Sequence, residues 1–217
     1  QKKIYRPTVF WADLVTKFFQ IFKNGKLEKF RKNELALNFF VPTYNYNREK
    51  NINKIISLIN KGKFDKRIKF FFKSHISGEK DALSDYRVFK ASDDAKKLPY
   101  YHNFSEKKIG NPIEFFKFDG KNYTRSSLNY LLGLSFLKKI TKNFVPKTVL
   151  EIGGGFGILG SILHSSGIKK IKYINIDLPP MSLFTEYYLS SCHGSSNVSG
   201  YQNTKKMQKI YINKLKK

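Results

Sequence analysis

Apolar side chains recur at helical spacing in the first part of the chain. Residues 8–22, which follow Pro7, carry an apolar side chain every three or four positions, and this predicts a helix. Four isoleucines at the same spacing predict a second helix over residues 51–60, ended by Gly62. A leucine-rich stripe predicts a further helix over residues 126–142.

The intervening residues 76–125 are mixed in pattern and rich in turn-forming residues. The clearest signal among them is Asp119-Gly120, because residues 114–118 and 121–124 on either side of it favour strands. These residues therefore predict a β-hairpin.

The pattern changes from helical to alternating strand and helix after residue 145. The predicted order is a strand at 148–152, a glycine turn at 153–157, a helix at 158–166, a strand at 171–176 and a helix at 182–191. Such a βαβ unit belongs to a parallel sheet. We therefore predict an α/β protein with two parts: a mostly helical N-terminal or cap segment over residues 1–125, and the first part of a Rossmann-like parallel sheet over residues 126–217.

The glycine turn is the strongest candidate for a ligand site. A glycine turn at the end of a strand lets a ligand approach the backbone, and the helix that follows directs N–H groups and its positive end at the ligand. The turn therefore suits a carboxylate or a phosphate. Asp177 lies 20 residues after Gly157, at the end of the next strand, where a carboxylate can accept both hydroxyls of a ribose. Together these features predict a cofactor that contains a nucleoside.

Two cofactors agree with these residues. Gly155, Gly157 and Gly160 satisfy the Gly-x-Gly-x-x-Gly fingerprint of dinucleotide binding, and Asp177 would hold the ribose of NAD. Glu151, two residues before the first glycine, favours a different ligand: a carboxylate there can face an ammonium group but would repel a pyrophosphate. S-adenosylmethionine, an amino acid joined to a nucleoside, meets that condition.

At these residues the sequence resembles the class I (Rossmann-like) S-adenosylmethionine-dependent methyltransferases. Their first motif is an acidic strand end followed by Gly-x-Gly-x-Gly, which Glu151, Gly153, Gly155 and Gly157 match position by position. The stretches 151–157, 173–180 and 186–190 are similar to the sugar O-methyltransferase group of that superfamily, and the resemblance covers about residues 105–194. The predicted cofactor-binding residues are Glu151, Gly153, Gly154, Gly155, Phe156, Gly157 and Asp177.

The resemblance implies methyl transfer to a sugar hydroxyl of a nucleotide sugar or a surface polysaccharide, in the cytoplasm. No metal-ligating residue is predicted, and the general base, the other catalytic residues and the metal dependence stay unassigned. A complete domain of this class continues through further strands, whereas residues 195–217 are polar and rich in lysine. We therefore expect the chain to be a fragment or a decayed copy with an incomplete methyltransferase fold.

Charge adds a third possibility. The net charge is +25, which raises nucleic acid as a partner. However, the surplus avoids the motif region, since residues 146–200 hold four Lys/Arg against three Asp/Glu. Lysine outnumbers arginine 35 to 6, and bidentate recognition of bases and phosphates favours arginine. A basic RNA-binding module therefore remains an alternative, as does an NAD(P)-dependent oxidoreductase. No apolar run approaches the about 20 residues of a membrane helix.

Overall fold

A computed structural model gives the fold of residues 46–110, 112, 115–142, 144–178 and 181–205, with residues 16, 17, 19–21, 23, 24 and 29 from the start of the chain. Most of the helix predicted over residues 8–22 lies outside these described residues.

Helices predominate in the described part of the chain, and four short strands accompany them. The α-helices are α1 (Tyr46–Lys61), α2 (Lys66–Ile76), α3 (Glu79–Ser92), α4 (Arg125–Ile140), α5 (Ile158–Ser165), α6 (Met181–His193) and α7 (Tyr201–Thr204). The strands are β1 (Phe116–Phe118), β2 (Lys121–Tyr123), β3 (Thr148–Ile152) and β4 (Lys172–Ile176), and single 3-10 turns occur at Tyr101–Asn103 and Ser195–Asn197. The protein is thus a mixed α/β structure.

The region expected to be mixed and rich in turns contains a well-formed helix, so the prediction was wrong over α3. Its buried residues Ala82, Tyr86 and Phe89 are spaced four and three positions apart, which places them on one side of the helix. Leu83, Ser84, Asp85, Arg87 and Val88 occupy the positions between them, so charged and apolar side chains alternate without a clear polar face. Only the turn residues after Ser92 agree with the prediction. The predicted helix over residues 51–60 is confirmed as the C-terminal part of α1.

The predicted hairpin is confirmed. β1 and β2 pair in antiparallel fashion, with Phe116 opposite Tyr123. The two residues between the strands, Asp119 and Gly120, have φ angles of 46° and 78°. A two-residue hairpin turn with positive φ at both positions follows the right-handed twist of the strands, which is why Asp-Gly is a strong hairpin signal.

The predicted parallel pair is also confirmed. β3 and β4 run parallel, with Glu151 opposite Asn175 and Ile152 opposite Ile176. Parallel strands require a crossover connection, and α5 supplies it. The observed strand β3 has the predicted bounds, and the helices on either side of it begin or end within two residues of the predicted positions.

One cluster of buried side chains extends through the described residues. It joins α3, the hairpin and α4 to α5 and α6. Its members with 2% exposure or less include Ala82, Phe89, Phe104, Tyr123, Leu128, Leu131, Ile162, Phe184 and Tyr188. The domain boundary at residue 125 stays a prediction, and in the described residues the core continues across it.

A buried lysine ties α4 to the segment that follows α3. Lys138 is 2% exposed, and its Nζ donates to Asp93 Oδ1 at 2.7 Å and to the carbonyls of Asp94 and Pro99 at 2.7 and 2.8 Å. A buried ammonium group is costly unless it is both paired and hydrogen-bonded. The three acceptors meet both conditions, so this contact fixes the relative position of the two segments.

The β3–β4 sheet is covered on one face only in the described residues. Leu150, Ile152 and Ile176 point to the other face and are 58%, 80% and 53% exposed. Parallel strands are ordinarily buried on both faces.

Among the residues that the structure describes, no helix is both long enough and apolar enough to cross a bilayer.

The extent of the buried core predicts that alanine substitution at two leucines of α4 lowers the free energy of unfolding by different amounts. Leu131 is fully buried and Leu137 is half-exposed. We expect Leu131→Ala to lower the free energy of unfolding by about 2–5 kcal/mol, because it removes buried methyl groups and leaves a cavity. Leu137→Ala, the control, should cost less than about 1 kcal/mol. Urea unfolding followed by circular dichroism measures both, and equal losses would contradict the assigned core.

Candidate functional site

The turn between β3 and α5 is held by side chains from the end of β4. The backbone N–H of Gly154 donates to Asn175 Oδ1 at 3.2 Å, and the N–H of Gly155 donates to Asp177 Oδ2 at 3.0 Å. The parallel register brings the carboxyl ends of the two strands together, so residues 175 and 177 lie next to the turn. Asp177 therefore lies where the sequence predicts it, beside the glycine turn.

The other N–H groups of the glycines also have acceptors within the protein. Gly153 donates to the carbonyl of Ile176 at 2.8 Å, and Gly157 donates to the carbonyl of Gly154 at 2.9 Å. The sequence suggested that turn amides would hold a carboxylate of the ligand. In the structure all four glycine N–H groups are used internally, so such a ligand would compete with Asp177 or Asn175 for them.

Glu151 lies directly beneath the turn. A Cβ added to Gly154 would lie 2.5 Å from Glu151 Oε2 and 2.6 Å from Asn175 Oδ1, so only glycine leaves room for these polar groups. Glu151 and Asp177 thus approach the same turn, as the sequence analysis requires of a pair that holds one ligand.

Two tyrosines bind the Glu151 carboxylate. The hydroxyl of Tyr130, on α4, donates to Oε1 at 2.7 Å, and that of Tyr173, on β4, donates to Oε2 at 2.5 Å. Burial, followed by the hydrogen bond to Glu151, raises the pKa of both tyrosines well above the usual range. Both phenols therefore stay neutral donors, and Glu151 is fixed in place.

Sequence reasoning did not assign a role to either tyrosine. For Tyr173 a signal was present, because residues 173, 175 and 177 alternate along one strand and share a face with Glu151 of its parallel neighbour. Tyr130 offered no such signal. It belongs to a helix whose position against β3 follows from the packing of the whole core.

The outer side of the turn is open. Gly153 and Gly155 have φ angles of 74° and 57°, and no heavy atom lies within 4 Å of a Cβ built on either residue. A ligand could therefore approach the backbone closely at these two positions. Phe156, also predicted to contact a cofactor, is half-buried and packs against the core cluster.

Helix α6 supports the turn from below. The Thr185 hydroxyl lies within hydrogen-bonding distance of the carbonyls of Gly155 and Met181, either of which can accept its single proton, and it accepts a hydrogen bond from Asn175 Nδ2 at 3.1 Å. A chain of polar contacts therefore connects α6, β4 and the turn. Thr185 is buried, which keeps these contacts away from competing water.

A cavity of about 410 Å³ lies beside β4. All seven residues from 171 to 177 line one side of it, and α6 together with residues 197–201 lines the other. The glycine turn does not line this cavity, whereas Asp177 borders both. Its volume falls in the range of about 300–1,000 Å³ that is usual for small-molecule sites.

A serine and two histidines meet at the far end of α5. Ser161 Oγ lies 2.9 Å from His193 Nε2, and the rings of His193 and His164 are 4.0 Å apart between centroids. Burial, followed by electrostatic interaction with His164 and Lys107, lowers the pKa of His193 to about 4. His193 is therefore neutral at pH 7.

In the described part of the chain, no three His, Cys, Asp or Glu side chains are grouped so that they could hold a metal ion.

No protein-family model, no curated protein and no solved structure matches this chain. The geometry of the turn and the residues around it are therefore the basis on which a function can be proposed.

The contact between Tyr173 and Glu151 predicts a stability effect. Tyr173→Phe should lower the free energy of unfolding by about 1–3 kcal/mol, because it removes a donor to a half-buried carboxylate. Tyr201→Phe is the matched control, since Tyr201 is 64% exposed and should change stability by less than about 0.5 kcal/mol. Chemical unfolding at pH 7 distinguishes them, and indistinguishable midpoints would argue against a hydrogen bond that matters energetically.

The low pKa of His193 predicts a loss of stability in acid. The unfolded chain binds a proton at His193 near pH 6.5, whereas the folded protein binds it only near pH 4. The contribution of neutral His193 to the free energy of unfolding is therefore fully present at pH 7, and it is lost as the pH falls towards 4. We expect His193→Gln to reduce the loss between pH 7 and pH 4 by about 1–2 kcal/mol, allowing for solvent screening. Unfolding curves across this range measure the difference, and parallel curves would refute it.

Proposed function

We propose that this chain binds S-adenosylmethionine through a Rossmann-like βαβ unit and acts in methyl transfer to a sugar hydroxyl. The observation that carries the proposal is the contact between Asp177 and the glycine turn. Asp177 directly follows β4, its Oδ2 accepts from Gly155 N–H at 3.0 Å, and its Oδ1 accepts from Leu178 N–H at 2.8 Å. Each carboxylate oxygen can accept a second hydrogen bond, so the residue retains acceptors for the two hydroxyls of a ribose.

The residues present are compatible with this cofactor. The open backbone at Gly153 and Gly155 allows close approach of the amino-acid portion, and Glu151 beneath the turn supplies the negative charge that an ammonium group needs. The ribose would lie on Asp177, and the cavity beside β4 leaves space next to that residue. When bound, the cofactor supplies an electrophilic methyl group on a sulfonium.

The protein's own contribution would be orientation. Glu151 is held by two phenols and Asp177 by two backbone N–H groups, so both carboxylates are fixed before a ligand arrives. Preorganised binding groups of this kind lower the barrier by holding the reacting groups in line. A sugar hydroxyl also needs a base to remove its proton when it attacks the methyl group. Among the described residues that form or contact the glycine turn, none is a histidine. The acceptor class, a nucleotide sugar or a surface polysaccharide made in the cytoplasm, follows from the sequence resemblance.

NAD(P)-dependent oxidation is the second candidate function, and one observation favours it. A Cβ added to Gly160 would lie 2.5 Å from the Tyr173 ring, which is the close packing of helix on strand that the third glycine of the dinucleotide fingerprint permits. Glu151 counts against it, because its carboxylate lies beneath the turn where a pyrophosphate would bind.

Isothermal titration calorimetry with S-adenosylhomocysteine and NADH tests the choice. We expect binding of S-adenosylhomocysteine, and Asp177→Asn should weaken it by about 10- to 100-fold, because the ribose loses a charged acceptor. Asp94→Asn, a surface carboxylate outside the site, is the control and should leave the affinity unchanged. Binding of NADH without S-adenosylhomocysteine would replace this proposal with the oxidoreductase, and binding of neither ligand would reject both.

A further inference from the structure

Helices α1 and α2 and the turn between them carry an unusual number of exposed apolar side chains. Seven large ones are between 42% and 60% exposed: Ile55, Leu58, Phe64, Ile68, Phe70, Phe71 and Phe72. We call these residues, with the basic residues among them, the α1–α2 surface. Large exposed apolar patches on proteins mark sites of interaction with a partner or a membrane.

Three apolar side chains of α2 are grouped, whereas Phe70, two positions after Ile68, projects from another side of the helix. Ile68, Phe71 and Phe72 are three and four positions apart, which places them on one side of the helix. The ring of Phe64, just before α2, lies 6.3 Å from that of Phe72, and Phe71 lies 5.9 Å from Phe72, between centroids. These contacts make one continuous apolar patch.

The same surface is strongly basic. Residues 53–73 contain seven Lys/Arg and one acidic residue, Asp65, so their net charge is seven minus one, or +6. Lys61, Lys63, Lys66 and Arg67 are all exposed. Lysine can lay its aliphatic stem along apolar surface while its ammonium group reaches water or an anion. A basic surface with exposed phenylalanines suits a partner that is anionic and has an apolar layer beneath its charged groups.

We propose that the α1–α2 surface binds the face of an anionic lipid bilayer. α2 lies in the plane of the membrane, with Ile68, Phe71 and Phe72 at the boundary of headgroups and acyl chains and the basic residues on anionic headgroups. At 11 residues, α2 is about 16 Å long, too short to span the hydrocarbon core. Binding is peripheral.

Single-stranded RNA is the competing anionic partner, and the residues favour lipid over it. Ile55, Leu58 and Ile68 have no ring on which a base could stack, whereas all apolar side chains gain by entering a lipid interface. Six of the seven basic residues are lysine, and nucleic-acid contacts favour the planar guanidinium of arginine.

Co-sedimentation of the full chain with vesicles tests the proposal. We expect binding to vesicles of phosphatidylcholine with phosphatidylserine, and at least about tenfold weaker binding to phosphatidylcholine alone. Two triple variants separate the two contributions: Ile68→Ser/Phe71→Ser/Phe72→Ser removes the apolar patch, and Lys63→Gln/Lys66→Gln/Arg67→Gln removes charge. Each should weaken binding by about tenfold or more. Because all six substituted side chains are exposed, the circular dichroism spectrum should stay unchanged.

A matched variant controls for net charge. Lys117→Gln/Lys139→Gln/Lys142→Gln removes the same three charges from exposed positions outside the α1–α2 surface and should bind nearly as well as the unmodified chain. Equal weakening by this control, equal binding to both vesicle types, or no binding to either would overturn the proposal. Undiminished vesicle binding by the apolar variant would also overturn it. So would salt-dependent binding of polyuridylate by a chain that binds neither type of vesicle.

Discussion

The hydrogen bonds from the glycine turn to Asn175 and Asp177 are the constraint on which the candidate site depends. They join the end of β3 to the end of β4 and therefore fix where α5 begins. These hydrogen bonds offset the conformational entropy that the glycines lose when the turn is ordered. Without them, the glycines with positive φ would adopt several conformations. Thr185 extends the same set of contacts to α6, so the turn is held from the strand and from the helix beneath it.

Local signals predicted the parts of the fold that depend on neighbouring residues. Asp119-Gly120 predicted the hairpin because few residue pairs adopt positive φ twice in succession. The βαβ unit was predicted from the order of a short apolar strand, a glycine turn, a helix and a second strand along the chain, which is also a signal from neighbouring residues. α3 was missed, although its spacing at Ala82, Tyr86 and Phe89 is helical, because the turn residues that follow it dominated the interpretation.

The contacts that complete the site could not be predicted in this way. Tyr130 reaches Glu151 across 21 positions of sequence, and Lys138 reaches Pro99 across 39, so both depend on how α4 packs against the rest of the core. A pattern along the chain indicates which residues are apolar. It does not indicate which polar group a distant helix will bring to them. The cofactor residues were therefore predicted as a set, and their partners were not.

The partners of Glu151 bear on why a carboxylate is present at that position. If it served only to anchor Tyr130 and Tyr173, a glutamine could accept hydrogen bonds there without the cost of desolvating a charge. A glutamine, however, would offer one acceptor oxygen to two phenols that approach separate oxygens of Glu151. The geometry thus accounts for a group with two acceptors even in the absence of a cationic ligand. The proposed cofactor site consequently rests more on Asp177, whose carboxylate contacts the N–H groups of Gly155 and Leu178, than on Glu151 beneath the turn.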